Sequence, residues 1–367
     1  MTQLNVKIYN PCWRSINVAD DWGIKAESSD LDSVLKEPYK IATLPVMWDQ
    51  SDNFINKAIE GAVIPVDQFD LIVLSDIECY SPGQIYSWID KLNLRSYVVA
   101  LGALCNSEPV NQDSMVYRPW WMYSLMRLKS NKFRSTDATD KPYMFDVLLG
   151  SRRPHRDFVM LSMQKHEKLW SNSIVNYRDI FVGSQINQNT TTIRNHFPGI
   201  QLEWPYISPN LNPDWEVSSN MHKNISPFLP YEIYQRTWYT VVCETLYTAD
   251  QFFLTEKTSK PLFGKRLFVM FAPQRHLVNL RKLGFETFED VIDESYDYEQ
   301  NDLRRYQQAF DQMLSLSQQN PHKVLAKIKE KLEHNHNRMQ ELQKETQLEM
   351  QRLLLERIPQ QYVTSTG

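Results

Sequence analysis

The chain contains the same local pattern twice, and that repetition limits its fold more than any other feature. FDLIVLSD (69–76) is a continuous apolar run bounded by turn residues, as a parallel strand buried on both faces must be. SPGQIYSWIDKLNL (81–94) follows with helical spacing, Ser81 as N-cap and Pro82 in the first turn. SYVVALGALC (96–105) is a second buried strand. Strand, helix and strand at this spacing form a βαβ unit, which predicts an α/β, doubly wound first half. LNVKIYN (4–10) alternates as a strand does, and residues 20–37 are polar with a short helix before Pro38.

The pattern restarts at FDVLLG (145–150), followed by the helical RPHRDFVMLSMQKH (153–166). Short strands, SIVNY and IQLEW, are read between 171 and 230. YEIYQRTWYTVVCET (231–245) then reads as a helix running into a strand, LTEKTSKPLF (254–263) as a helix start, and RLFVMFA (266–272) as the next strand. HLVNLRKLGF (276–285) is a helix stopped by Gly284. From Leu303 to about Arg357 the chain is helical, with a break near Pro321. The boundaries predicted are an N-terminal domain over 1–140, a C-terminal domain over 141–302, a helical extension over 303–358 and a disordered tail over 359–367. Leu325, Ile328, Leu332, Met339, Leu342 and Leu353 recur at 3- and 4-residue steps. Asn335, Thr346 and Glu349 interrupt that seam, so a helix packed on the body is favoured over a homodimer zipper.

Charge narrows the partners. The chain has 40 basic and 44 acidic side chains, a net of −4, which excludes a protein basic all over. The distribution is uneven: residues 1–117 carry a net of −8 and residues 118–168 a net of +6. A basic block over the predicted junction suits an anionic ligand, although ordinary surface scatter gives the same counts. The four cysteines are far apart, with no CxxC pair, so neither a disulfide framework nor a zinc site is expected. The N-terminus lacks a signal-peptide pattern, and the longest apolar run is too short to span a bilayer. A cytoplasmic protein without a membrane span is expected.

Three segments should meet beyond the carboxyl ends of the second set of strands, where ligands bind in such folds. Gly150-Ser151-Arg152-Arg153-Pro154-His155-Arg156 combines guanidinium forks with a helix N-terminus, two independent means of holding a phosphate. A solvated basic turn is the plainer reading. Glu244, at the end of a buried strand, is placed to accept hydrogen bonds from sugar hydroxyls, or to cap a helix. Thr255 can cap the helix that begins with Glu256 and Lys257. A lysine there opposes the helix dipole unless an anion lies between them.

Cys243-Glu244-Thr245, with the following LTEKTSKPLFGKRLFVMF, resembles the donor-binding block of the alpha-1,3-fucosyltransferase family and of exostosin-like glycosyltransferases. The Thr-Glu-Lys and Lys-Pro block also resembles glycosyltransferase-like proteins of bacteriophages and marine bacteria. The resemblance covers roughly residues 230–290. It implies a GT-B fold, two Rossmann-like domains facing a cleft, with a nucleotide-diphosphate sugar as donor substrate and no cofactor. Carried over, Lys257 neutralises the diphosphate, Glu256 contacts the ribose or donor sugar, and Glu244 matches the family's Phe-Glu-Asn glutamate. One of Arg152, Arg153 or Arg156 matches the diphosphate arginine. Thr245 stands where the family has asparagine, and Arg266-Leu267-Phe268 replaces its Pro-Val turn. Pro261 should shorten or kink its helix. Fucose and GDP are therefore not implied.

The expected reaction is a metal-independent, inverting sugar transfer to an acceptor hydroxyl. Asp76 and Glu78, just past a strand of the first half, are the candidate general bases, with His155 behind them. The acceptor is a glycan or other hydroxylated molecule. A hydroxymethylated base in DNA is the alternative, and the basic block with Trp120 and Trp121 would serve it. A non-catalytic binding or structural protein on the same fold is the rival class.

Overall fold

The structure is a computed structural model. It describes residues 2–10, 24–46, 55–58, 60, 64–76, 80–127, 131–134, 140–151, 153–178, 228–247 and 250–365. The chain is α/β with parallel sheets and forms two compact units. The first comprises Met1–Trp120, Asp250–Phe253 and Gln340–Gly367; the second comprises Trp121–Ala249 and Leu254–Met339.

In the first unit, β1 (Thr2–Tyr9), β2 (Ile24–Ser29), β3 (Ile41–Val46), β4 (Leu71–Asp76), helix α1 (Pro82–Lys91), β5 (Tyr97–Leu101), β6 (Leu104–Cys105) and β7 (Met115–Tyr117) follow in chain order. Ser81 caps α1 by accepting from the Gln84 N–H at 3.2 Å, with Pro82 in the first turn. The main sheet runs β1-β3-β4-β5-β7, all parallel, with β2 also alongside β1. Alternate residues of β4 enter opposite cores, as the pleat requires. Ile72 and Leu74 pack with Ile85, Trp88 and Ile89 of α1. Leu71 and Val73 pack with Met350, Leu353, Leu354 and Ile358 near the C-terminus.

Two readings are corrected here. Residues 24–29, read only as part of a polar stretch, form the strand β2; the short helix expected before Pro38 is Leu31–Val34, capped by Asp30. Pairing with β1 supplies what local composition does not show. Residues 363–365, placed in a disordered tail, form a strand that pairs antiparallel with Thr2–Leu4.

The second unit begins its sheet with β8 (Tyr143–Ser151), followed by helix α2 (Pro154–Gln164), β9 (Ser173–Arg178), helix α3 (Tyr231–Arg236) and β10 (Thr237–Cys243). A short strand of the first unit, β11 (Gln251–Phe252), then pairs with β6. The second unit resumes with helix α4 (Glu256–Phe263), β12 (Phe268–Phe271), and helices α5 (His276–Lys282) and α6 (Asp302–Ser317). Helix α7 (Pro321–Leu355) starts in the second unit and ends in the first, and β13 (Val363–Ser365) closes the chain. Pro261 does not stop α4, which runs to Phe263 before Gly264. Gly284 ends α5 in the left-handed region, at φ +86. Ile328, Leu332, Met339, Leu342 and Leu353 of the α7 seam are buried within their own chain. Among the described residues, no helix is long and apolar enough to cross a membrane.

The second sheet has the order β12-β10-β8-β9, all parallel. From β8 the chain moves outward to β9, returns across the sheet to β10, then moves outward the other way to β12. The switch point therefore lies between the carboxyl ends of β8 and β10, where open α/β sheets bind ligands.

Candidate functional site

β8 ends at Gly150 and Ser151, and Gly150 takes φ +66, a left-handed turn that glycine adopts without steric cost. The chain then enters α2, with Arg153 at the N-cap and Pro154 in the first turn. Arg153 is half-buried. Arg156 is 4% exposed, and its Nη2 reaches the carbonyls of Cys243 and Glu244 at 3.5 and 3.4 Å. Burial, reinforced by Arg153, pulls the Arg156 guanidinium down to about 10, so it remains a cation at neutral pH. His155 is fully buried and bonds the Glu244 carbonyl through Nε2 at 2.8 Å.

β10 ends at Cys243, and Glu244 follows it, fully buried. Its carboxylate accepts four hydrogen bonds. Oε1 takes the Thr255 N–H at 3.2 Å and the Thr258 hydroxyl at 2.5 Å. Oε2 takes the Thr255 hydroxyl at 2.5 Å and the Thr245 N–H at 3.0 Å. These saturate a carboxylate. Glu244 thus fastens the start of α4 to the end of β10.

Thr255 is the N-cap of α4 and accepts from the Lys257 N–H at 3.2 Å. Lys257 Nζ donates to Glu256 Oε1 at 2.8 Å and to Thr245 Oγ1 at 3.2 Å, so its charge lies beside the end of β10. Burial raises the Glu256 carboxyl, but Lys257 and Lys260 outweigh it and the net shift is downward; it stays ionised. Lys260, one turn further along α4, is 7% exposed and is brought down to about 8 by burial.

Three helices start at this edge of the sheet, and their N-termini are treated differently. Glu244 occupies that of α4. Asp297 occupies that of α5, accepting the N–H groups of Leu277 and Val278 at 3.0 Å each. The N-cap residue of α2, Arg153, makes no side-chain cap, and among the described residues no carboxylate is seen to take its place. The turn at Tyr247 is fixed from α6: Arg305 Nη2 donates to the Tyr247 carbonyl at 3.2 Å, and the Tyr306 hydroxyl donates to the same oxygen.

Arg153, Arg156, Glu244, Thr255, Glu256 and Lys257 therefore come together at one sheet edge, within one unit. Arg152 and Glu78 lie outside the described residues, as does the side chain of Trp121 and that of Trp120. Asp76 belongs to the other unit, at the carboxyl end of β4, fully buried, with Oδ2 accepting the Gly102 N–H at 3.0 Å. Lys260, Asp297, Arg305 and Tyr306 were not anticipated. Lys260 had a legible signal, four residues after Glu256 and on the same helix face. The other three act across the fold and leave no local mark.

Comparison with protein-family models, curated proteins and solved structures found no match.

Proposed function

We propose that the chain is a glycosyltransferase of the GT-B kind, whose second unit holds a nucleotide-diphosphate sugar and whose first unit serves the acceptor hydroxyl. One observation carries this reading. At the switch point between β8 and β10, Arg153, Arg156 and Lys257 lie near the start of α2, the one of the three helix starts for which no carboxylate cap is seen among the described residues. Helix N–H groups and buried guanidinium suit a diphosphate, and fixed donors stabilise the charge that develops as it leaves. Glu244 already neutralises the start of α4, which directs the diphosphate to α2. Asp76, at a strand end of the first unit, is the candidate base among the described residues.

The test is a thermal-shift screen with UDP-glucose, GDP-mannose, ADP-glucose and CMP-sialic acid. A donor at a hundred times its Kd stabilises the unit that binds it by about 2.7 kcal/mol. Lys257→Ala should abolish the shift. Absence of a shift with every donor would remove this reading and favour the non-catalytic class.

A further inference from the structure

The turn at Glu244–Thr245 gathers one neutral ring and three cations. His155 Nε2 and Arg156 Nη2 share the Glu244 carbonyl, at 2.8 and 3.4 Å. Lys257 Nζ reaches the neighbouring Thr245 Oγ1 at 3.2 Å, and Arg153 precedes α2. The His155 ring stacks on Tyr247, with centroids 5.1 Å apart and planes at 14°, and tilts against Tyr306 at 6.1 Å. A carbonyl can only accept, so Nε2 carries the hydrogen. Nδ1 is buried and makes no hydrogen bond in the described protein.

Burial holds the imidazole well below its usual range, and Arg156, Arg153 and Lys257 push it the same way; the Glu244 carbonyl opposes them. The groups facing the ring are therefore two arginines of its own helix segment, the Glu244 carbonyl and Tyr247 after β10, Lys257 of α4 and Tyr306 of α6. The formal charges that act on the ring are these three cations; of the carboxylates nearby, Glu244 is held by four donors and Glu256 by Lys257. Burial is the larger cause of the ring's neutrality, and an anion bound between the three cations cancels the repulsion that adds to it. Side chains in the first turn of a helix lean toward its N-terminus, which is the end proposed for the diphosphate.

We infer that His155 is a substrate-binding residue that couples diphosphate binding to uptake of one proton: the arriving anion draws a proton from solvent onto Nδ1, and this N–H then donates to a phosphate oxygen while Nε2–H stays on the Glu244 carbonyl. The inference rests on the donor-site reading above and deepens it. The imidazolium also faces the charge that grows on the diphosphate when the sugar departs, so one proton serves binding and departure.

The test uses UDP-glucose, GDP-mannose and ADP-glucose from the same panel, whose diphosphates do not titrate near neutrality. Calorimetric titrations at pH 5.5–7, in two buffers of unequal ionisation enthalpy, count the protons taken up. The window stays below the value of about 8 to which burial brings Lys260. Wild type should take up a proton and tighten by up to about tenfold per pH unit as the pH falls. His155→Gln keeps an amide N–H for the Glu244 carbonyl and should bind without proton uptake. Nitrogen NMR of labelled histidine in the wild type should show one ring passing from the Nε2–H tautomer to imidazolium on saturation, which keeps the test valid if the variant does not fold. Binding with no proton uptake and no new imidazolium overturns the inference and leaves the donor reading standing. No binding by any nucleotide-sugar at any pH overturns both.

Discussion

His276 opens helix α5 and is 2% exposed. Burial brings its imidazole down to about 4, with Glu244 opposing the shift. The folded value lies below that of the unfolded chain, so the unfolded chain binds the extra proton. Stability should therefore be lost as the pH falls from about 6.5 toward 4, and a drop of two to three units in pKa corresponds to about 3 kcal/mol. Urea midpoints recorded between pH 7 and 4.5 test this. His276→Leu should make the profile shallower, with buried His155 supplying a further loss in the same direction, and a wild-type midpoint constant over that range would contradict this. Nothing in HLVNLRKLGF announces that its first residue is buried. Asp297, twenty-one residues from His276, holds the two N–H groups that follow it.

At the scale of elements, the clasp between β10 and α4 is set by one carboxylate. Glu244→Gln leaves a similar shape but replaces an oxygen with a donor, facing groups that themselves donate. Loss of charge-assisted bonds and the new clash of donors should cost about 2–3 kcal/mol, measured by chemical denaturation. If the variant is as stable as wild type, Glu244 is not the fastening the geometry describes. The elements themselves were legible: the strand at 71–76, the capped helix from Pro82 and the strand-turn-helix restart after 143 follow from apolar periodicity and local capping. β2 was not legible, because a charged edge strand such as IKAESS acquires its order from β1 rather than from its own pattern. In the candidate site, the arginine turn and the Thr-Glu-Lys helix start were legible as local chemistry. The saturation of Glu244 was not, because its donors come from eleven and fourteen residues further along the chain as well as from its neighbour.

At the scale of the whole molecule, the C-terminal residues complete the first unit. Met350, Leu353, Leu354 and Ile358 fill one core of its sheet, and β13 pairs with β1. Burying four such side chains stabilises by roughly 6–12 kcal/mol, comparable with the whole stability of a typical domain. A chain ending at residue 339 should therefore lose amide-exchange protection in β1 and β4 while β10 and β12 stay protected. Retained protection in β1 and β4 would contradict this. A periodic helix declares that it has an apolar face but does not say which sheet will cover it.

The sequence by itself determined where most of the strands and helices form, β2 and β13 excepted, where several of them start and stop, and which residues could bind an anion. These depend on side-chain alternation, caps and turns within a few residues. The tertiary structure decided the order β12-β10-β8-β9, and hence the switch point that brings the arginine turn to Glu244. It also decided which helix starts are already filled by carboxylates, and that the last 28 residues belong with the first 120. Those outcomes depend on pairings between residues far apart in the chain, whose energies arise only once both partners are buried together.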